Sequence, residues 1–239
     1  PYQYPQFDEI RDPHYAPAFA RGMREQLAEV NAIAGSTAAP TLENTIVAME
    51  RSGQLLARVS RVFFSLTSAN TNDTLEKLDG ELSPKLAAHR DAIRLNSRLF
   101  ERVQALYDRR ETPGLDAESA RLLERYRTDF VRAGARLSAA DKERLKVLNR
   151  ELATLQTTFS QNVLKEINAS AIVVERRDDL AGLPDNAIAA AAQAATARGH
   201  EGKYVVALMN TTEQPPQAAL IDRALRQRLY DASVARGSH

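Results

Sequence analysis

Apolar residues recur at intervals of three and four along most of this chain, the spacing that gathers side chains on one face of an α-helix. Asp12 reads as a helix N-cap with Pro13 at the first helical position. Tyr15, Phe19, Met23, Leu27, Val30 and Ile33 follow in register, and Gly35 ends the run. Thr41, after Pro40, predicts a second start carrying Ile46, Val47 and Met49 and weakening at Gly53. Leu55, Val59, Val62, Phe63 and Leu66 make a third stripe. Asn70 to Asp73 reads as a loop and cap, leading to Leu75, Leu78, Leu82 and Leu86. A helix from Ser97 to Arg110 is predicted to close at Thr112, Pro113 and Gly114. Ahead of these, residues 1–11 carry Tyr2, Tyr4, Phe7 and two prolines and are expected to form an extended arm packed by its aromatics.

The clearest periodicity lies in the middle of the chain. Asp116 is expected to cap a helix whose face is Leu123, Tyr126, Phe130 and Leu137. Ser138 with Asp141 resembles a capping box and opens the longest helix, striped by Leu145, Leu148, Leu152, Leu155, Phe159, Val163 and Ile167. At 1.5 Å per residue it would run roughly 45 Å. Its spacing predicts a long helical hairpin with coiled-coil-like packing.

The pattern changes after Asn168. Ala171 to Glu175 and Lys203 to Leu208 are short and β-branched. Between them Asp185 is expected to cap an alanine-rich helix ending at Gly199. A last helix is predicted from Pro216 to Arg236. No fixed-period repeat emerges. The fold expected is therefore mainly α, a multi-helix bundle with a long helical hairpin and a small α/β appendage near the C-terminus. Residues 1–168 are expected to form an N-terminal helical domain. Residues 169–239 are expected to hold the strand-helix-strand segment and the start of a further helical region.

Composition narrows the partners. Of 239 residues, 32 are Lys or Arg and 31 Asp or Glu, a net charge of +1, and no basic block interleaves with aromatics. Nucleic acid is not expected as a partner. Nor is a membrane, since the longest apolar runs, such as Ala187 to Ala192, are far too short to span one. The chain has no cysteine, which removes disulfides, thiolate metal sites and a cysteine nucleophile. That fits a reducing cytoplasm, the expected location, and a periplasm equally. Because the chain opens on Pro1 rather than Met, native residues are expected upstream.

Catalytic chemistry is hard to find. Metal-assisted hydrolysis on a helix calls for two histidines at i and i+4 with a carboxylate beside them. The four histidines, His14, His89, His200 and His239, are too far apart in sequence for that. The nearest approach, His200-Glu201-Gly202-Lys203-Tyr204, has tyrosine in place of the second histidine and reads as a turn into the following strand. No G-x-S-x-G elbow occurs, and Gly199 and Gly202 make no phosphate loop. Asp178-Asp179 reads as the cap of a short helical turn. Neither catalytic nor cofactor-binding nor metal-binding residues are assigned within the chain.

Six segments in order carry a resemblance. They are Pro5-Gln6-Phe7-Asp8 through His14-Tyr15-Ala16-Pro17-Ala18-Phe19; Pro40-Thr41-Leu42-Glu43-Asn44-Thr45-Ile46; Phe63 to Thr71; Asn168-Ala169-Ser170; Leu180-Ala181-Gly182-Leu183-Pro184; and Asn210 to Pro215. Together they resemble the N-terminal portion of the dipeptidyl carboxypeptidases, zinc metallopeptidases of the thimet oligopeptidase family. In the second segment Leu42 stands where the family usually has phenylalanine. The resemblance implies a two-lobed, mostly helical enzyme enclosing a deep channel. Its zinc is held by His-Glu-x-x-His and a later glutamate, and dipeptides are released from the C-termini of short peptides. The zinc ligands are expected beyond His239, on a C-terminal catalytic half that is this segment's partner, and the segment alone is expected to be inactive.

Within that frame Tyr15, Phe63 and Phe64 are candidates to line the channel, with core packing the simpler expectation for aromatics on an apolar stripe. Asn70-Thr71-Asn72 is either a substrate-facing loop or a helix cap, and Asn210 to Gln214 either channel-facing or a plain polar loop. The alternative function is a stand-alone helical protein-binding module without catalytic activity.

Overall fold

The computed structural model describes residues 4–111, 114–209, 211 and 213–237. They form ten α-helices and a two-stranded sheet: α1 (Tyr15–Ala34), α2 (Ala48–Arg51), α3 (Gln54–Ala69), α4 (Asp73–Arg94), α5 (Ser97–Asp108), α6 (Ala117–Arg132), α7 (Ala139–Ala169), β1 (Ile172–Val174), α8 (Asp185–Ala197), β2 (Tyr204–Val206), α9 (Pro216–Ala219) and α10 (Arg223–Val234). The protein is mainly α with a small strand appendage. Two compact units divide it, Pro1–Thr157 and Thr158–His239.

In the first unit, α1, α3 and α4 share a core of Tyr15, Phe19, Leu56, Phe63, Leu75 and Leu82. Phe63 is the hub. Tyr15 and Phe19 meet it edge-on, with ring centroids at 5.2 and 5.3 Å, a geometry worth roughly 0.5–1.5 kcal/mol beyond burial. α1 approaches α3 closely because position 22 is glycine: a Cβ there would stand 2.9 Å from the Leu56 Cα. A second core gathers Val30, Ile46, Ile93, Leu99, Val103, Leu106, Leu123 and Phe130 from α1, α4, α5 and α6 and the turn before α2.

The helix starts follow the capping residues, with exceptions. Asn72, Asn96 and Asp116 accept from the backbone N–H groups of Leu75, Leu99 and Ser119. Asp12 does not cap α1. It lies in a 3₁₀ turn, Asp12–His14, and accepts from Asn72 Nδ2 at 3.0 Å. The arm is curled rather than extended, because the amides of Phe7, Glu9 and Ile10 turn back onto Pro5 and Gln6. Tyr4 and Phe7 are 80% and 60% exposed rather than packed, and Tyr2 lies outside the described residues. Gly53, at φ 71°, breaks the chain between α2 and α3 and donates to Glu29.

α7 is 31 residues long, about 46 Å, and Ser138 opens it by accepting from the Asp141 amide as expected. Its packing onto the first unit mixes the expected leucine stripe with polar anchors. Leu145 reaches inward beside Gly134, while Lys142 donates to Ser97 on α5, Asn149 to Asp91 on α4, and Thr157 to Ser83 on α4. Leu148, Leu152 and Leu155 are 52%, 52% and 59% exposed, with Leu152 at the edge of the gap between α7 and α4. Leu137 lies in the turn after α6 rather than on its face.

In the second unit β1 and β2 pair antiparallel, Val173 opposite Val205. They pack with α8 and α10 around Leu180, Ile188, Val206, Leu220, Leu225 and Leu229. Asp185 is the first residue of α8, not its cap, and pairs with Arg177. The predicted last helix is two. The chain breaks after α9, where the Ile221 amide donates to Ala181 O, and Asp222 caps α10 by accepting from the Ala224 and Leu225 amides. No described helix is long and apolar enough to cross a membrane.

Candidate functional site

The segment Pro40 to Ile46 owes its residue choice to a hydrogen-bonded clip. Thr41 Oγ1 accepts from the Asn44 amide at 3.0 Å, while Asn44 Oδ1 accepts from the Thr41 amide at 2.9 Å. This reciprocal cap starts a single π-helical turn, Leu42–Val47, that leads into α2. Asn44 Nδ2 donates to Ala39 O. Arg102, buried on α5, completes the clip. Its Nη1 donates to the carbonyls of Ser36 and Ala38, and its Nη2 to Asn44 Oδ1 and Thr45 Oγ1. Apart from Arg102 Nε, which is buried without a partner, these side chains bond to each other and to the backbone, and their role in the described residues is structural.

The open chemistry of the first unit lies between α4 and α7. A cleft of about 430 Å³ is bounded there by Phe64 and Leu86 and by the polar side chains of Arg90, Asp91, Arg94, Arg132 and Asn149. Asp91 is buried and accepts from Asn149 at 2.8 Å through Oδ1 alone. Burial pushes its carboxyl up, against the pull of Asn149, Arg90, Lys146 and Arg150. The Arg94 guanidinium lies over the Phe130 ring at 5.2 Å. A neighbouring cleft of about 370 Å³ shares Phe64, Leu86, Arg90 and Arg94 and adds His89 and Tyr126. His89 pairs through Nε2 with Gln26 Oε1 at 2.7 Å, and burial lowers its pKa, which keeps the ring neutral. Tyr126 donates to Glu50 and is held protonated, first by burial and then by that carboxylate. Among the residues lining these clefts, no nucleophile stands beside a base. Three guanidiniums can hold an anionic group but perform no reaction on it.

The histidines do not converge. His14 accepts from the Arg11 amide in the turn before α1, His89 sits on α4, and His200 follows α8, its amide bound to Ala195 O. His239 lies outside the described residues. Among the described residues no group of three or more His, Cys, Asp or Glu side chains is placed to hold a metal ion.

The other candidates resolve individually. Phe63 and Tyr15 are core, whereas Phe64, 37% exposed, lines both clefts. Asn72 is a helix cap. Asp178 and Asp179 lie within the 3₁₀ turn Arg177–Leu180 rather than capping it, since Arg176 holds the cap position, and Asp179 pairs with Arg176, which lowers its pKa. Of the stretch from Asn210 to Gln214, Asn210 and Thr212 lie outside the described residues. Gln214 is buried and clips its own loop, with Nε2 donating to the Met209 and Thr211 carbonyls and Oε1 accepting from the Met209 amide.

No family model matches the chain. Curated relatives do, over its whole length, and they are peptidases. Dipeptidyl carboxypeptidase of Escherichia coli (strain K12) is 47% identical over 236 residues, 99% of this chain and 35% of that protein. The Salmonella typhimurium dipeptidyl carboxypeptidase matches to the same extent. Oligopeptidase A of Escherichia coli is 24% identical over 238 residues, again 35% of its length. The chain spans about a third of the length of these relatives. The chain is thus similar, over its whole length, to peptidases of the thimet oligopeptidase group. Within that group it resembles the N-terminal portion of the dipeptidyl carboxypeptidases.

Proposed function

We propose that this chain is the N-terminal part of a zinc peptidyl-dipeptidase that hydrolyses short peptides and releases C-terminal dipeptides. The observation that carries this reading is the whole-chain identity of 47% to dipeptidyl carboxypeptidase, against 24% to oligopeptidase A. In this reading the zinc ligands and the general base stand on polypeptide beyond His239. This segment forms channel wall and supports the catalytic half. The cleft beside Arg90, Arg94 and Arg132 supports such a role, since it sets three guanidiniums among apolar side chains.

Reading the gene downstream of His239 tests it. A frame of several hundred further codons containing His-Glu-x-x-His is expected, and the full product should release dipeptides from an N-blocked tetrapeptide and stop on chelation. A stop codon directly after His239 removes the reading. The exposed leucines of α7 also suit a second reading, a helical binding module. That reading predicts a specific protein partner for the isolated chain and no peptidase activity from the full gene product.

A further inference from the structure

α7 leaves part of its apolar stripe in solvent. A helix lying on its own bundle ordinarily turns its apolar stripe inward and its polar side out. Here Lys142, Asn149 and Thr157 reach inward through hydrogen bonds of 2.8, 2.8 and 2.6 Å. Leu148, Leu152 and Leu155 nevertheless run along one flank of the helix, each more than half exposed, with Leu152 bordering the cleft beside α4. Apolar rows of this kind on a soluble protein mark a surface that something else covers.

We infer that the row Leu148, Leu152, Leu155 is a docking surface, and that its occupant is an apolar helical face on the remaining two-thirds of the peptidase. The inference rests on the functional reading above and names the face through which that reading is realised. Two observations select this occupant. The relatives that match this chain from end to end are about three times as long, since the match covers 35% of them, so a large covering body exists there. The spacing of four and then three residues is that of a helix–helix seam, which a second helix fills with knobs of its own.

The absence of cysteine allows a direct measurement. Leu155→Cys and, on the other side of α7, the exposed position Arg150→Cys each introduce one thiol. In the 239-residue chain both should react with a maleimide at comparable rates. In a chimera where this chain replaces the matching third of Escherichia coli dipeptidyl carboxypeptidase, peptide mapping follows the same two positions. We expect labelling at position 155 to slow by about tenfold or more in a chimera that releases dipeptides, and labelling at position 150 to stay fast. Equal labelling of both positions in an active chimera overturns the docking surface and leaves the functional reading standing. An inactive chimera counts against the functional reading, and the inference falls with it. Protection of position 155 that grows with concentration in the chain alone assigns the row to a second copy and overturns the inference.

Discussion

Arg102 donates through Nη2 to Oδ1 of Asn44, fifty-eight positions earlier in the chain, at 2.8 Å. That bond ties α5 to a turn which makes no regular α-helical start of its own. Arg102→Ala removes four donated bonds at once and leaves two carbonyls, an amide and a hydroxyl to be satisfied another way. A loss of about 3 kcal/mol is expected, read as a lower denaturant midpoint with unchanged slope. Arg102→Lys should recover little of it, because an ammonium cannot fork to both sides of the clip.

Gly22 is expected to tolerate nothing larger. Alanine there must push the Leu56 backbone away, since its Cβ would lie 2.9 Å from the Leu56 Cα and 3.0 Å from the amide nitrogen. Gly22→Ala should cost about 1–3 kcal/mol, despite the better helix propensity of alanine. Thermal unfolding of the variant checks it, and a stabilised Gly22→Ala protein would show that α1 and α3 do not meet as described.

These two positions show what was legible in the sequence and what was not. The stripes Tyr15–Phe19 and Leu123–Phe130 lie at 3.6-residue spacing and could be read directly, because helices that bury one face must write that face into their period. Caps at Asn72 and Asp116 were legible for the same local reason. Arg102 was not, since nothing about an arginine on a polar helix marks it as the partner of a turn far upstream. The break at Leu220–Asp222 was missed because the apolar positions on either side keep helical spacing. It is made by a tertiary hydrogen bond from Ile221 to Ala181. The α7 stripe was legible as a stripe, but its direction was not, because periodicity says which residues share a face and not what that face meets. No catalytic residues were assigned from the sequence, and the clefts beside α4 were not foreseen, since Arg90, Arg94 and Arg132 belong to two helices that only the fold brings together.

His89 gives the chain a pH dependence of definite sign. Burial lowers its folded pKa below the ordinary 6.5, so the unfolded chain takes up a proton first as the solution is acidified. The stability this provides is complete above 6.5 and drains away as pH falls through 6.5 toward the folded value. His89→Gln should flatten that slope. The melting temperature of the parent chain is expected to drop more between about pH 7.5 and about pH 5.5 than that of the variant, and parallel curves would refute the assignment.

Leu148, Leu152 and Leu155 should be dispensable to the fold of the isolated chain. Replacing all three with glutamine is expected to change its stability by no more than about 0.5 kcal/mol per site, while reducing the binding of an apolar dye. Leu99→Ala, in contrast, empties a fully buried position and should cost about 2–5 kcal/mol. If the triple variant unfolds as readily as Leu99→Ala, the leucines are core after all.

The solvent-exposed leucines of α7 separate two records that usually agree. A saturation library scored on folding of this segment by itself would find its leucine row free to vary, while a library scored on survival of the whole organism's protein would find the same row fixed. Positions where those two maps disagree mark surfaces held by selection for assembly, and on this chain they should trace a single line along one helix.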